Sequence, residues 1–268
     1  DHRDLHSFPT RRSSDLHKNL LWNVCEFFVY RIVMTPIAYM YAKIKFNVKV
    51  IGKEKLKETK DGYFVYANHT QPVLDTFVPT IVSFNSKVYI ICNRDNISIP
   101  FLGRLNKMLG AVPIPNHIEA MKNFLECIKT RVKKNVVVIY PEAHVWPYYT
   151  KIRNFEDTSF KYPVKYDKPI YTYTTVYKER RSKKPRVEVF IDGPFYRNEE
   201  LNTKEAQKEL RDKAYFTMCE RAKLNDVEYV KYEKIKEKTY AIIYRIINTF
   251  SRNNIRCRNG VFYEEQNE

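Results

Sequence analysis

Glycine is scarce in this 268-residue sequence, which has six glycines and no stretch rich in proline or serine. No segment repeats at a period of about 20 to 50 residues, so collagen-like, linker-rich and solenoid architectures are excluded. Hydrophobic residues make up 44% of the chain, which excludes disorder as its main state. The length predicts one large domain, or one domain with a small appendage.

Cysteine is also sparse, and its spacing does not fit a metal-binding cluster. The number of cysteines is odd, and none forms a C-x-x-C pair or stands beside a histidine at metal spacing. This pattern predicts a reducing compartment and no metal site. The five cysteines are Cys25, Cys92, Cys127, Cys219 and Cys257.

Positive charge predominates: 47 Lys and Arg stand against 31 Asp and Glu, which gives a formal charge of +16. A basic protein with 21 tyrosines suits an anionic membrane surface or nucleic acid. A nucleic-acid binder interleaves basic residues with stacking aromatics, whereas the aromatic residues here cluster in an apolar N-terminal stretch. The predicted partner is therefore the membrane surface, and nucleic acid is not expected.

The first sixteen residues are set apart by their sequence. The segment from His6 to Leu16, HSFPTRRSSDL, resembles the translation of a common sequencing-library adapter, so residues 1–16 are predicted to be an assembly artefact. The alternative is a natural basic leader, but no apolar core follows Arg11 and Arg12 at signal-peptide spacing. The segment holds three arginines and three aspartates, so the net charge belongs to the rest of the chain.

Residues 17–47 form the most apolar segment. Glu26, Arg31 and Pro36 interrupt it, which predicts a poor membrane-spanning helix. Apolar residues recur at helical spacing beside Trp and Tyr, which suit a lipid headgroup boundary. The pattern predicts one or two helices, broken near Pro36, that lie in the membrane interface. The alternative is a helix pair that faces the protein core.

Residues 48–225 alternate between short apolar runs and helical periodicity, which predicts an α/β domain. The strands are predicted at 49–51, 63–67, 87–92, 111–114, 135–140, 169–176 and 186–191. The helices are predicted at 75–84, 101–109, 117–133 and 203–223. The charged sequence KERRSKKP between the last two strands is typical of a hairpin. Residues 226–268 are predicted to form a helical tail, with an amphipathic helix over 235–250.

Two strand ends carry side chains suited to catalysis. His69 and Asp75 lie in YANHTQPVLDTF, between a strand and a helix, where α/β folds expose functional groups. A histidine that takes a proton from an alcohol benefits from a carboxylate on its other ring nitrogen, which Asp75 is placed to supply. In VVVIYPEAHVWP a buried strand leads into Glu142. Taken alone, His69 also fits a polar residue whose hydrogen bonds are satisfied within the fold. Glu142 taken alone also fits a helix cap or an acidic residue at the surface.

Together these segments resemble the glycerolipid acyltransferase family over about Lys49 to Pro194. NHTQPVLD resembles the first block of the family, LGAVPIPN the second, YPEA the third (usually Phe-Pro-Glu-Gly) and KPIYTYTTVY the fourth. KVIGKEKL before them and FIDGPFY after them match its opening and later strands. The resemblance implies a mixed, mostly parallel central sheet flanked by helices, with an N-terminal interfacial helical segment and an acyltransferase domain over residues 48–225.

The resemblance also implies roles for individual residues. His69 is the catalytic base and Asp75 orients it. No cofactor is implied, because acyl carrier protein or coenzyme A carries the acyl group as a co-substrate. The residues implied to bind the acceptor are Glu142, Asn68, Pro141 and Asn116.

The sequence departs from the family in two respects. Five residues separate His69 from Asp75 where the family usually has four, so their contact requires a bulged turn, which Pro72 is placed to shape. Both phosphate-binding arginines are missing: Asn116 ends the second block, and residues 143–145 replace the Gly-Thr-Arg of the third. The basic residues near enough in sequence to substitute for them are Arg104, Arg153 and Lys161.

The implied acceptor is a lysophospholipid, foremost 1-acyl-sn-glycerol-3-phosphate, with phosphatidic acid as the product. Two alternatives stay open: an acyltransferase of the same fold with a different lipid or non-phosphate acceptor, and an inactive membrane-associated binding module. The expected location is the cytoplasmic face of the membrane, to which the protein binds peripherally or as a monotopic protein.

Overall fold

The structure, a computed structural model, describes residues 20–98, 102–115, 117–181, 184–232, 255–258 and 261–264. The chain divides into two compact units, one ending at Val230 and the other beginning at Lys231. The first unit contains a central sheet, its covering helices and the apolar N-terminal helix.

Seven strands build the sheet of the first unit. They are β1 (Lys49–Ile51), β2 (Tyr63–Ala67), β3 (Val88–Cys92), β4 (Ala111–Pro113), β5 (Val136–Ile139), β6 (Ile170–Lys178) and β7 (Arg186–Phe195). Their order is β1-β7-β6-β2-β5-β3-β4. β6, β2, β5, β3 and β4 run parallel, β7 is antiparallel to β6, and β1 is parallel to β7. The predicted mixed, mostly parallel sheet is confirmed.

Most helices of the first unit fall close to the predicted positions, but those at Asp95–Ser98 and Lys161–Tyr166 were not predicted. The N-terminal helix consists of α1 (Leu20–Phe27), a π-helical segment (Phe28–Met34) and α2 (Thr35–Phe46). The others are α3 (Leu74–Val82), α4 (Asp95–Ser98), α5 (Leu102–Met108), α6 (Ile118–Arg131), α7 (Lys161–Tyr166) and α8 (Thr203–Ala222). Short 3-10 turns cover Lys53–Glu58 and Asp157–Phe160.

The central strands are buried on both faces, as expected of parallel strands between two helix layers. β2 pairs with β5, with Val65 opposite Val138, and every residue of both strands is buried. Helices α6 and α8 pack on one face of the sheet, and α2 and α3 on the other. Because neighbouring parallel strands end at the same edge, the segments that follow β2 and β5 lie side by side.

The N-terminal helix runs without a break from Leu20 to Phe46, so the predicted break near Pro36 is wrong. In the π-helical segment a carbonyl accepts from the amide five residues ahead, as the Tyr30 carbonyl does from Thr35. With this hydrogen-bond register the helix continues through Pro36, which has no amide to donate. By length and composition alone, the resulting 27-residue helix is long and apolar enough to cross a membrane, contrary to expectation.

The two faces of the N-terminal helix differ in exposure. Tyr30, Ala38, Ala42 and Phe46 are buried against the domain. The opposite face presents large apolar side chains to solvent: Leu20, Leu21, Val24, Phe27, Phe28, Ile32, Ile37, Met40 and Ile44. An exposed apolar surface of this extent marks an interaction site, either with a membrane or with another protein.

Polar contacts hold the N-terminal helix on α3 and β3. The Tyr30 hydroxyl accepts from the backbone amide of Val88 at 3.1 Å and lies 3.2 Å from the Thr80 hydroxyl. Arg31 donates to the backbone carbonyl of Phe84, and Glu26 forms an ion pair with Lys87. These contacts fix which face of the helix turns outward.

The second unit contains two short antiparallel strands, β8 (Ile255–Arg258) and β9 (Val261–Glu264), which were not predicted. The helix predicted over 235–250 and the predicted artefact over 1–16 lie outside the described residues.

We expect Tyr30→Phe to lower the free energy of unfolding by about 1–3 kcal/mol, because it leaves the buried amide of Val88 without an acceptor. Urea denaturation of the whole chain measures this change. Tyr39, on the same helix, is 54% exposed, so Tyr39→Phe should change stability by less than about 0.5 kcal/mol. Equal effects of the two substitutions would contradict the assigned docking contact.

Candidate active site

The structure brings His69 and Asp75 together at the carboxyl end of β2. β2 ends at Ala67, a loop follows, and Asp75 lies in the first turn of α3. The Nδ1 atom of His69 is 2.8 Å from Oδ2 of Asp75. The contact that the sequence predicts is therefore present.

The loop between the two residues accommodates the extra residue by folding around the carboxylate. The backbone amides of Thr70 and Gln71 each donate to Asp75 Oδ2 at 2.8 Å, the oxygen that also contacts His69. Burial raises the pKa of Asp75, and the hydrogen bonds from His69, Gln71 and Thr70 oppose that rise because they stabilise the carboxylate. One carboxylate oxygen thus organises the whole turn.

The contact with Asp75 selects the tautomer of His69. An ionised carboxylate only accepts hydrogen bonds, so Nδ1 carries the proton and Nε2 keeps its lone pair. The His69 side chain is 20% exposed, and among the described residues Nε2 has no hydrogen-bond partner. The imidazole is therefore arranged to accept a proton at Nε2 from a molecule outside the protein.

Tyr140 is a site residue that the sequence analysis missed. Its ring stacks on the His69 imidazole, with 4.5 Å between ring centroids and 27° between planes, and its hydroxyl donates to the backbone carbonyl of Asp75. The only signal in the sequence was that YPEA has Tyr where the family usually has Phe. Nothing in that difference indicated a contact with His69.

Glu142 lies beside the same loop, but its carboxylate is occupied by protein atoms. Oε2 accepts from the His69 amide at 3.2 Å and from Arg153 Nη2 at 3.0 Å, while Oε1 accepts from the Arg153 amide at 2.9 Å. Burial raises the pKa of Glu142, and these hydrogen bonds oppose the rise. Glu142 therefore ties the segment after β5 to the segment that carries His69.

Of the two candidate phosphate-binding residues whose side chains the structure describes, Arg153 lies at the site and Lys161 does not. Its guanidinium pairs with Glu142, donates to the carbonyl of His144 and lies 4.8 Å from the ring centre of Trp146. The side chain is 15% exposed, so one part of it reaches the surface.

The segment after β5 also pairs with the His69 loop through its backbone. The amide of Trp146 donates to the carbonyl of His69, and that of Tyr148 to the carbonyl of Thr70, both at 3.0 Å. On the other side, the Tyr177 hydroxyl donates to the Thr70 hydroxyl at 2.9 Å and accepts from Gln71 at 3.0 Å. The loop is held from both neighbouring strands, β5 and β6.

The side chain of Asn68 binds the backbone of the neighbouring strand β6. Its side-chain amide donates to the carbonyl of Thr175 and accepts from the amide of the same residue, at 3.1 and 2.8 Å. These two bonds imitate strand pairing and extend the contact of β2 with β6 beyond Ala67. Both ends of the amide are thus used on protein atoms.

The other predicted substrate-binding residues are less informative. Pro141 connects β5 to Glu142. Arg104 lies on α5, but its side chain and the whole of Asn116 lie outside the described residues. Lys161 is exposed at the start of α7, where its Nζ lies 5.3 Å from the ring centre of Tyr162. The structure does not bring Lys161 into contact with His69, Asp75 or Glu142.

Two further features bear on the chemistry. Among the described residues, no group of three or more His, Cys, Asp or Glu side chains is placed to hold a metal ion. An open groove of about 500 Å³, lined by Phe195, Phe216 and charged residues of α8, does not include His69. Neither feature adds a described residue to the group around His69.

Comparisons with known proteins agree with the geometry. Residues 47–176 match the family model described as Acyltransferase. The fold is similar to the crystal structure of the 1-acyl-sn-glycerophosphate (LPA) acyltransferase, PlsC, from Thermotoga maritima. The TM-score is 0.50 at 19% sequence identity, over 82% of this chain and 87% of that chain. A search of the curated proteins finds no match. The family-model match over residues 47–176 supports the predicted family, and the predicted fold is confirmed.

We expect Asp75→Ala to move the proton of the neutral His69 ring from Nδ1 to Nε2. Nδ1 loses the acceptor that holds its proton, so the tautomer required of the base is no longer favoured. Ring ¹⁵N chemical shifts of the whole chain report the position of the proton, with the His69 signals assigned from His69→Gln.

The matched control is Asp212→Ala on α8, where Asp212 pairs with Arg211 instead of a histidine. It should leave the His69 signals unchanged. A ring that keeps its proton on Nδ1 in Asp75→Ala would show that Asp75 does not select the tautomer.

Proposed function

Given that residues 47–176 form a domain of the acyltransferase family, we propose that the protein transfers a fatty acyl group from a thioester to a lysophospholipid hydroxyl. The donor is acyl-coenzyme A or acyl-acyl carrier protein. The proposed acceptor is 1-acyl-sn-glycerol-3-phosphate, which gives phosphatidic acid. The observation that carries the proposal is the 2.8 Å contact between His69 and Asp75, with Nε2 of His69 left open.

The proposed reaction uses His69 twice. Nε2 takes the proton of the acceptor hydroxyl while that oxygen attacks the thioester carbonyl, and Asp75 stabilises the imidazolium that forms. The tetrahedral intermediate then collapses, the carbon–sulfur bond breaks, and the imidazolium returns the proton to the leaving thiolate. Atoms and charges balance without a covalent acyl-enzyme.

For the acceptor headgroup we propose a binding site beside Glu142 and Arg153. Arg153 keeps part of its side chain at the surface, and a guanidinium suits a phosphate. Because the carboxylate of Glu142 already contacts His69 and Arg153, its proposed role is to hold both residues in place. Asn68, Pro141, Asn116, Arg104 and Lys161 stay predictions for acceptor binding.

The lipid acceptor explains the exposed face of the N-terminal helix. Moving an acyl chain into water costs about 0.8 kcal/mol per CH₂, on the order of 10 kcal/mol for twelve carbons, so an enzyme at the bilayer avoids that cost. Tyr41 of α2 and Tyr148 of the loop beside His69 pack against the same hydrophobic cluster, so the end of α2 lies near that loop. This proximity supports a lipid path from the helix to the site.

We therefore propose that the protein binds the cytoplasmic face of an anionic membrane as a peripheral or monotopic protein. The formal charge of +16 supports this, because Lys and Arg near such a surface contribute roughly 1 kcal/mol each. The same charge favours an acidic acyl carrier protein as a partner.

An acyl-transfer assay tests the reaction. Purified protein is offered a panel of lysophospholipids and a non-phosphate acceptor with each thioester donor, and the products are identified by mass. We expect acylated lysophosphatidic acid, and a loss of at least a thousandfold in kcat for His69→Ala, since removal of such a base usually costs orders of magnitude.

The possible outcomes separate the alternatives. A product from another acceptor alone would contradict the proposed substrate and leave the chemistry in place. No product from any pair would favour an inactive binding module, and equal rates for His69→Ala and the wild type would contradict the assigned base.

Binding to anionic liposomes tests the role of the helix. Phe28 and Ile32 are each 56% exposed, so Phe28→Glu/Ile32→Glu should leave the fold intact and weaken binding at least tenfold, because two apolar side chains no longer enter the bilayer. Co-sedimentation measures the affinity. Phe216→Glu/Leu224→Glu makes the same charge change at two exposed apolar residues outside the helix. Equal weakening of liposome binding by both pairs of substitutions would contradict the proposed membrane face. Displacement of the liposomes from the wild-type protein by DNA would also contradict it.

A further inference from the structure

Helix α3 contains an internal proline that leaves one of its carbonyls without a helical partner. Pro79 has no amide, and the carbonyl four residues before it is that of Asp75. Asp75 is also the residue whose side chain contacts His69. The residue that orients the candidate base therefore has a main-chain oxygen that its own helix does not satisfy.

Tyr140 satisfies this oxygen from another element. Its hydroxyl donates to the Asp75 carbonyl, although Tyr140 follows β5 and is 65 residues away in sequence. The same side chain stacks on the His69 imidazole at 4.5 Å between centroids. Tyr140 thus contacts both members of the pair, one through its hydroxyl and the other through its ring.

We propose that Tyr140 is a positioning residue for the His69–Asp75 pair. Its hydroxyl makes the hydrogen bond to the Asp75 carbonyl that Pro79 cannot make, and its ring fixes the plane of the His69 imidazole. This inference rests on the proposed function. The hydroxyl matters because a buried carbonyl without a donor is unfavourable, and the first turn of α3 would shift to find one. Any such shift moves the Asp75 carboxylate, which also holds the amides of Thr70 and Gln71.

The environment of Tyr140 favours a hydroxyl that always donates a hydrogen bond. Burial raises the pKa of its hydroxyl well above the ordinary tyrosine value, and the charge of Asp75 adds to that rise. The hydroxyl therefore stays protonated across the physiological range. Phenylalanine would keep the stacking on His69 but would leave the Asp75 carbonyl unsatisfied, so the two contributions of Tyr140 are separable by substitution.

A double-mutant cycle with Pro79 tests the hydroxyl. Tyr140→Phe should lower kcat about tenfold, with KM for both substrates within twofold, because the base is misplaced while the binding surfaces are intact. Pro79→Ala restores the helical amide, so Tyr140→Phe should cost less than threefold in that background. The same tenfold loss in both backgrounds, or no loss in either, would overturn the role of the hydroxyl.

The ring is tested in the Pro79→Ala background, where the hydroxyl is no longer needed. There Tyr140→Leu should lower kcat about tenfold, and Tyr140→Phe should restore it. A leucine variant as active as the phenylalanine variant would overturn the stacking role.

The matched control is Tyr66→Phe. Tyr66 also stacks on a ring, that of Phe160, and donates to the carbonyl of Ser159, but it does not contact the His69–Asp75 pair. It should change kcat by less than twofold.

A second measurement does not depend on catalysis. The ring ¹⁵N signals of His69 should show one Nδ1-protonated tautomer in the wild type, a mixture in Tyr140→Phe, and one tautomer again in Tyr140→Phe/Pro79→Ala. Absence of acyl transfer by the wild type would refute the proposed function, and these signals would still decide the role of Tyr140. A single tautomer in all three proteins would overturn it.

Discussion

A single carboxylate oxygen, Oδ2 of Asp75, organises the candidate site. It contacts the His69 ring and accepts from the amides of Thr70 and Gln71, all at 2.8 Å. Removing a carboxylate from water is costly, and the three donors compensate because each stabilises the charged form. The geometry of the histidine and the path of the loop therefore depend on the same atom, which explains why an extra residue in the loop does not separate the pair.

The parallel sheet supplies the rest of the arrangement. β2 and β5 are neighbours, so the residues that follow them meet at one edge, and Glu142 and Tyr140 reach the segment that carries His69. The N-terminal helix combines a packed face with an exposed apolar face, and its C-terminal end packs against the same hydrophobic cluster as Tyr148. The proposed transfer of an acyl group to a lipid at a membrane surface depends on these two features.

Much of the fold was predictable because its signals are local. The runs VVVI and YFVYA are apolar throughout, which indicates buried strands, and the seven predicted strands are all present near their expected bounds. The break at Pro36 was predicted wrongly because a π-helical register is set by packing over several residues, which no local rule contains. The strands β8 and β9 likewise lacked a clear pattern.

The sequence by itself determined the strand order along the chain, the position of His69 and Asp75 around one turn, and the basic charge, since each depends on neighbouring residues. The tertiary structure alone decided that Tyr140 stacks on His69, that Glu142 binds the amide of His69, and that Asn68 binds Thr175. Those contacts join residues up to 107 positions apart, and they form only because the sheet places particular strand ends side by side.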